Sequence, residues 1–388
     1  MRVGEKGFSQ SSVLLYVPAL MRISSPALII GLTCSCNTVA APANEAQASA
    51  PSEEESALHR AQEILSDAAS KGYGGAVLIE RDDQVVLRCG YGLANRERNL
   101  PFTPATISQI GSLTKQFTAA AVAALAQEKR INYSDSVGKY LAGDPRLRGI
   151  TIHQLLTHIA GIERDCGRDF EKLTKPELLK KCIAATVQAG SAHKYKYSNL
   201  GYSLLGALVE QVSGQNLEAF LINRFLRPAG MPNTRYSYTG RDPGLFARGY
   251  AQGKVQPLIS DRLAELDDSW WNLKGNGGMQ STLDDMYAWY RSFKDAKHIT
   301  ADMKREILAP QVPAENGVFY GYGWFVRVLD GGNRHVYSHT GGDGVLSAAI
   351  IWMPEDRLFF LVFSNSDEFP ASKLAGQVIR AFGEHLLG

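Results

Sequence analysis

Several things are missing from this chain, and each absence narrows what it can be. Charge of one sign is missing: 41 Lys and Arg stand against 39 Asp and Glu, a net charge of +2. Even that excess sits in the first forty residues, where Arg2, Lys6 and Arg22 face Glu5 alone. The neutral remainder has no basic stripe, so no nucleic-acid partner is expected. No apolar run is long enough to cross a membrane as a helix. There is no zinc-type Cys/His spacing and no glycine-rich phosphate loop, so no metal and no cofactor are expected. No serine is flanked as G-x-S-x-G, which sets aside the hydrolases built on a nucleophile elbow. With 45% hydrophobic and 21% charged residues, the chain has enough apolar material for a sizeable core.

The N-terminus carries its own pattern. From Met21 the sequence runs Met-Arg, then the apolar Ala27–Leu32, then small residues ending at Ala40, the layout of a secretory signal. Residues 1–40 are therefore expected to direct export to the periplasm or the medium, with the start at Met1 or Met21 left open. A membrane tether through a lipidated Cys34 or Cys36 is the alternative, although the residues before each match the usual lipobox poorly. Residues 41–55, rich in Ala, Pro, Ser and Glu, read as a flexible linker. The folded domain is expected over 56–388. Of five cysteines, Cys89, Cys166 and Cys182 remain after the leader. Cys166 and Cys182 could form a bridge in an exported protein, or all three could be free thiols.

Periodicity divides the domain. Ala57–Ala69 has helical spacing, and Gly75–Glu80 and Val85–Tyr91 read as a hairpin turning at Arg81-Asp-Asp-Gln84. From Ser112 apolar and small residues surround nearly the whole helix circumference, which marks a buried helix. Asp135–Leu141, Thr151–Thr157, Lys175–Ala185 and Tyr202–Val212 follow with 3.6-residue spacing, Asp135 and Thr151 serving as N-caps. Strand alternation returns at Gly323–Val328, Val345–Trp352 and Leu358–Ser364, and Ser372–Leu387 closes as a helix. The fold class is thus α+β: an antiparallel sheet (56–111 plus about 280–388) flanked by helices, with a mainly helical region (about 112–279) inserted.

Three motifs carry chemistry. Ser112-Leu-Thr-Lys115 places a serine and a lysine one helical turn apart, where the side chains can meet. The spacing alone is weak, since it recurs at Ser136–Lys139 and Ser191–Lys194. Tyr197-Ser-Asn199 is more selective, being the only Y-x-N among sixteen tyrosines, and His339-Thr340-Gly341 is the only H-x-G among eight histidines. A lysine freed of its proton by burial and by the helix N-terminus could accept the serine proton, and a tyrosine could pass a proton to a leaving group. Which of Lys115 and Tyr197 is the base stays open. His339, Thr340, Gly341 and Gly342 are expected on a strand edge facing Ser112, where substrate could add as a further strand.

Together the motifs resemble the penicillin-recognising serine hydrolases: class C β-lactamases, D,D-peptidases, and related esterases and D-amino-acid peptidases. That resemblance implies an acyl-enzyme on Ser112, substrate protonation by Tyr197, a substrate-binding and lysine-orienting amide at Asn199, and an oxyanion hole from the N–H groups of Ser112 and Gly342. Most β-lactamases of this kind have lysine at the His339 position, so histidine here counts against an efficient β-lactamase. The expected substrate is a small ester, peptide or β-lactam, with a carboxylesterase or D-amino-acid peptidase ahead of a D,D-carboxypeptidase, and a penicillin-binding sensor as the reading of another class. Trp270, Trp271, Tyr236 and Tyr238 are candidates for pocket lining or for core packing. His158 reads as packed and non-catalytic.

Overall fold

The first helix begins earlier than its apolar spacing suggests. In the computed structural model, which describes residues 52–141, 145–182, 194–238, 241–266, 268–383 and 386, helix α1 spans Glu53–Ser70. The Ser52 side chain accepts the Glu55 N–H while the Glu55 carboxylate accepts the Ser52 N–H, and this capping box sets the start. Residues 53–55 therefore belong to the folded domain and not to the linker; the leader lies outside the described residues. Strands β1 (Gly75–Arg81) and β2 (Gln84–Tyr91) follow, turning through Asp82 and Asp83, both at positive φ, which suits a tight hairpin.

The sheet is completed from the other end of the chain by β3 (Val312–Pro313), β4 (Val318–Tyr320), β5 (Phe325–Leu329), β6 (Arg334–Gly342), β7 (Ser347–Met353) and β8 (Leu358–Ser364). The strand order is β2-β1-β8-β7-β6-β5-β4-β3, antiparallel throughout. So β8 lies beside β1 and the two chain ends share one sheet. All of β8 is buried because the sheet is covered on both faces. Leu358, Phe360 and Val362 pack with α1 and the last helix, α6 (Ala371–Phe382), while Phe359, Leu361 and Phe363 join the core of the helical side. That is the two-residue period of a strand serving two cores at once.

The helical side contains α2 (Thr114–Gln127), α3 (Ile152–Leu156), α4 (Asn199–Ser213) and α5 (Leu283–Lys294). Helix α2 is buried on all sides from Thr114 to Leu125, as its composition requires. Thr151 caps α3 in a capping box with Gln154. Asp135 does not cap a helix: its carboxylate takes the Asn132 N–H and the Tyr140 hydroxyl, and Ser136 caps a single 3-10 turn, Val137–Lys139, where a longer helix was expected. Lys175–Glu177 starts a helical turn that widens over Leu178–Cys182, and 183–185 lie outside the described residues. Cys89 and Cys166 are each disulfide-bonded, which overturns the free-thiol reading for those two; the Cys182 side chain is outside the described residues.

Candidate active site

Ser112 lies in a 3-10 turn, Gly111–Leu113, that runs straight into α2. It is the one residue of 111–125 that is not buried. One turn on, Lys115 is fully buried, and its Nζ is 3.0 Å from Ser112 Oγ, 2.7 Å from Asn199 Oδ1 and 2.8 Å from the Asn276 carbonyl. A neutral amine has two N–H groups and one lone pair. Two donors for the Asn199 and Asn276 oxygens leave the lone pair facing the Ser112 hydroxyl. Burial, opposed first by Asp165 and reinforced by Arg164, holds the Lys115 proton affinity well below the ordinary amine range, so the neutral form is the one the site favours.

Tyr197 and Asn199 stand at the start of α4, capped by Ser198, whose Oγ accepts the Gly201 N–H and donates to the Glu163 carbonyl. The Asn199 amide is held from both ends: Oδ1 accepts from Lys115 and Nδ2 donates to Asp165 Oδ1 at 2.7 Å. Lys115 Nζ lies 4.8 Å from the Tyr197 ring centre. The Tyr197 hydroxyl is buried and makes no hydrogen bond of standard geometry, yet Ser112 is close enough to favour its ionised form. Burial outweighs that influence and pushes the phenol above its ordinary range. Burial thus favours the protonated phenol at Tyr197 and the neutral amine at Lys115.

The third motif ends β6. Along β6, strand β5 reaches only Arg334–Ser338, so His339–Gly342 extends past it while still pairing with β7; the expected open edge is there. Its glycines are required by contact. A Cβ on Gly341 would lie 2.0 Å from the Ile110 carbonyl and 2.7 Å from Ser112 N, and one on Gly111, itself at φ 49°, would lie 2.1 Å from Gly342 N. The backbone nitrogens of Ser112 and Gly342 thus lie on the two facing backbones of this close contact. Thr340 is half-buried.

His339 does not face the groove as a cation. It is 2% exposed; Nδ1–H donates to the Thr340 carbonyl at 2.7 Å, and Nε2 accepts from the Tyr320 hydroxyl at 3.2 Å. Burial, the largest cause, lowers its pKa from 6.5 to about 3, and protonation of Lys115 would lower it further, so it is neutral at ordinary pH. Trp270, Trp271 and Tyr236 belong to the main core, and Tyr238 to a smaller cluster, so packing is their role. Three contributors were not selected from sequence: Asp165, the Asn276 carbonyl and His158, whose Nδ1 accepts the Ser198 N–H. Asn276 had a local signal, lying among Gly275, Gly277 and Gly278, and so had His158, within Leu155-Leu-Thr-His158-Ile-Ala-Gly161.

A serine bonded by a buried lysine one turn away, at the seam of an antiparallel sheet and a helical region, places the protein with the β-lactamase and penicillin-binding serine hydrolases. The chain belongs to the Beta-lactamase family, whose model matches residues 62–383. Among curated relatives, Protein flp of Staphylococcus aureus (strain COL) is 26% identical over 325 residues, covering 80% of this chain and 64% of flp. The chain thus spans less than two thirds of that relative. A penicillin-binding protein of Bacillus subtilis (strain 168) is 25% identical over 333 residues, covering 81% of this chain and 72% of its own. The octameric penicillin-binding protein homologue from Pyrococcus abyssi superposes with a TM-score of 0.71 at 25% identity, over 85% of this chain and 77% of that one. For the penicillin-binding protein from Bacillus halodurans the TM-score is 0.69 at 23% identity, over 83% and 99%, a likeness of fold.

Proposed function

We propose that this protein hydrolyses small ester or amide substrates through an acyl-enzyme on Ser112. The observation that carries the reading is the buried Lys115 Nζ, bonded at once to Ser112 Oγ, Asn199 Oδ1 and the Asn276 carbonyl. In this scheme Lys115 takes the hydroxyl proton as Ser112 attacks the carbonyl carbon. The oxyanion is held by the N–H groups of Ser112 and Gly342, and Tyr197 gives its proton to the leaving oxygen or nitrogen. Water then releases the acyl group. His339, buried and neutral, supplies no fixed charge for a substrate carboxylate, and Arg164 is paired with Asp165 at 3.4 Å. These features favour a carboxylesterase or D-amino-acid peptidase type of substrate over a D,D-carboxypeptidase substrate or a β-lactam. Export through residues 1–40 completes the proposal; sequencing the N-terminus of the secreted form would locate the cleavage site, or reveal acylation at Cys34 or Cys36.

The likeness to penicillin-binding proteins favours a second reading, in which the protein is acylated by penicillin and not turned over. Intact-protein mass of wild type and Ser112→Ala, after exposure to a fluorophosphonate, a penicillin and a p-nitrophenyl ester, separates the two. Labelling of wild type alone with continuing nitrophenol release supports the hydrolase. A lasting penicilloyl adduct with little ester turnover supports the second reading. Equal labelling of both proteins removes Ser112 as the nucleophile.

A further inference from the structure

His158 is 1% exposed and holds the backbone on both sides of Tyr197. Its carbonyl accepts the Lys196 N–H at 2.8 Å, and its Nδ1 accepts the Ser198 N–H at 3.0 Å. His158 adopts a left-handed backbone, φ 61°, a conformation unfavourable for a non-glycine residue. The imidazole also lies against the Tyr197 ring, 4.3 Å between centres at 34°, with Tyr320 at 4.6 Å and Tyr202 at 5.1 Å. Because Nδ1 accepts, the ring proton is on Nε2, and that atom is buried with no hydrogen-bond partner among the described residues. A buried donor left unmatched is destabilising. A side chain kept here only to fill space would need neither the strained backbone nor the orphaned N–H.

We infer that His158 is a positioning residue for Tyr197, fixing the phenol where it can protonate the leaving group of the acyl transfer. The inference rests on the hydrolase reading above and adds a residue to it. Its consequence is specific to leaving groups. A nitrophenolate departs without help, whereas an alkoxide must be protonated as it leaves, so a displaced Tyr197 harms only the second kind of substrate severely.

The test compares a p-nitrophenyl ester with an ethyl ester of the same acid in wild type, His158→Gly and His158→Asn. Glycine accepts the left-handed backbone and has no acceptor; asparagine tolerates that backbone and carries Oδ1 at the place of Nδ1. We expect kcat on the ethyl ester to fall about 100-fold in His158→Gly, the scale of an ångström-level misplacement. The nitrophenyl ester should lose less than about tenfold by the same reasoning, with KM little changed and most of the loss recovered in His158→Asn. In a Tyr197→Phe background, His158→Gly should add nothing. Equal losses on both esters, no rescue by asparagine, or an additive double variant would each overturn the inference. Should His158→Gly not fold, His158→Asn against His158→Gln decides, because glutamine places its acceptor one bond farther out. Absence of fluorophosphonate labelling in wild type would instead strike the hydrolase reading itself.

Discussion

Ser112–Lys115 and Ser136–Lys139 share a spacing and differ in surroundings. Lys139 is largely exposed, lies 3.1 Å from Asp135, and has its proton affinity raised by Tyr140 and Asp135. Lys115 has no carboxylate bonded to it and is fully desolvated. Chemistry follows burial here, not spacing. Lys115→Met should therefore lower kcat/KM by roughly 10²–10⁴-fold, the usual contribution of a general base, while thermal stability holds or rises because a desolvated amine has gone. In wild type, kcat/KM should rise with pH as Lys115 loses its proton, with an acid limb well below the ordinary lysine range. A pH profile checks this; a limb still rising near pH 10 would exclude Lys115 as the base. His339 gives a second residue-scale outcome. Its folded pKa of about 3 lies below the unfolded 6.5, so the unfolded chain binds the proton first and stability falls as pH drops through that window. Denaturant unfolding should show the advantage of wild type over His339→Gln shrinking by roughly 1.4 kcal/mol per pH unit below about pH 6.5.

At the scale of elements, the end of β6 and the turn before α2 touch backbone to backbone, and no side chain fits between them. Gly341→Ala would place a methyl 2.0 Å from the Ile110 carbonyl, forcing the strand end away from Ser112. Activity should fall about 100-fold or more, the cost of losing one oxyanion donor, with the circular dichroism of the fold retained. Unchanged activity would mean that this strand end does not bind the reacting carbonyl. Such elements were largely legible in sequence, because strand alternation and the all-round apolar pattern of α2 are local signals. Starts and stops set by side-chain caps were less so. Ser52 and Glu55 extended α1, and Ser136 displaced Asp135 as a cap, choices that depend on geometry between near neighbours and not on hydrophobic period. The motif residues were legible because their types are restricted by chemistry. His158, Asp165 and the Asn276 carbonyl were not, since each acts through a contact between distant segments.

The whole molecule depends on one such distant contact. Glu80, at 1% exposure on β1, accepts from Tyr290 at 2.8 Å, from Tyr287 and from Lys294, all on α5. With β1 beside β8, this cluster fastens the N-terminal hairpin, the returning sheet and the helix that packs under it. Nothing in the local sequence announces it, because 214 residues separate Glu80 from Lys294. Lys294 also bonds Asp83, and Arg291 lies 3.9 Å from Glu80; losing the nearer cation of a buried carboxylate is still costly, and Lys294→Met should destabilise the protein by about 3 kcal/mol. Replacing both partners removes the uncompensated charge as well as the pair, so Glu80→Met/Lys294→Met should be less destabilised than the sum of the single variants. Urea unfolding of the four proteins measures this coupling. Additive losses would mean that the Lys294 ion pair contributes little and that the tyrosines and Arg291 hold Glu80 in place.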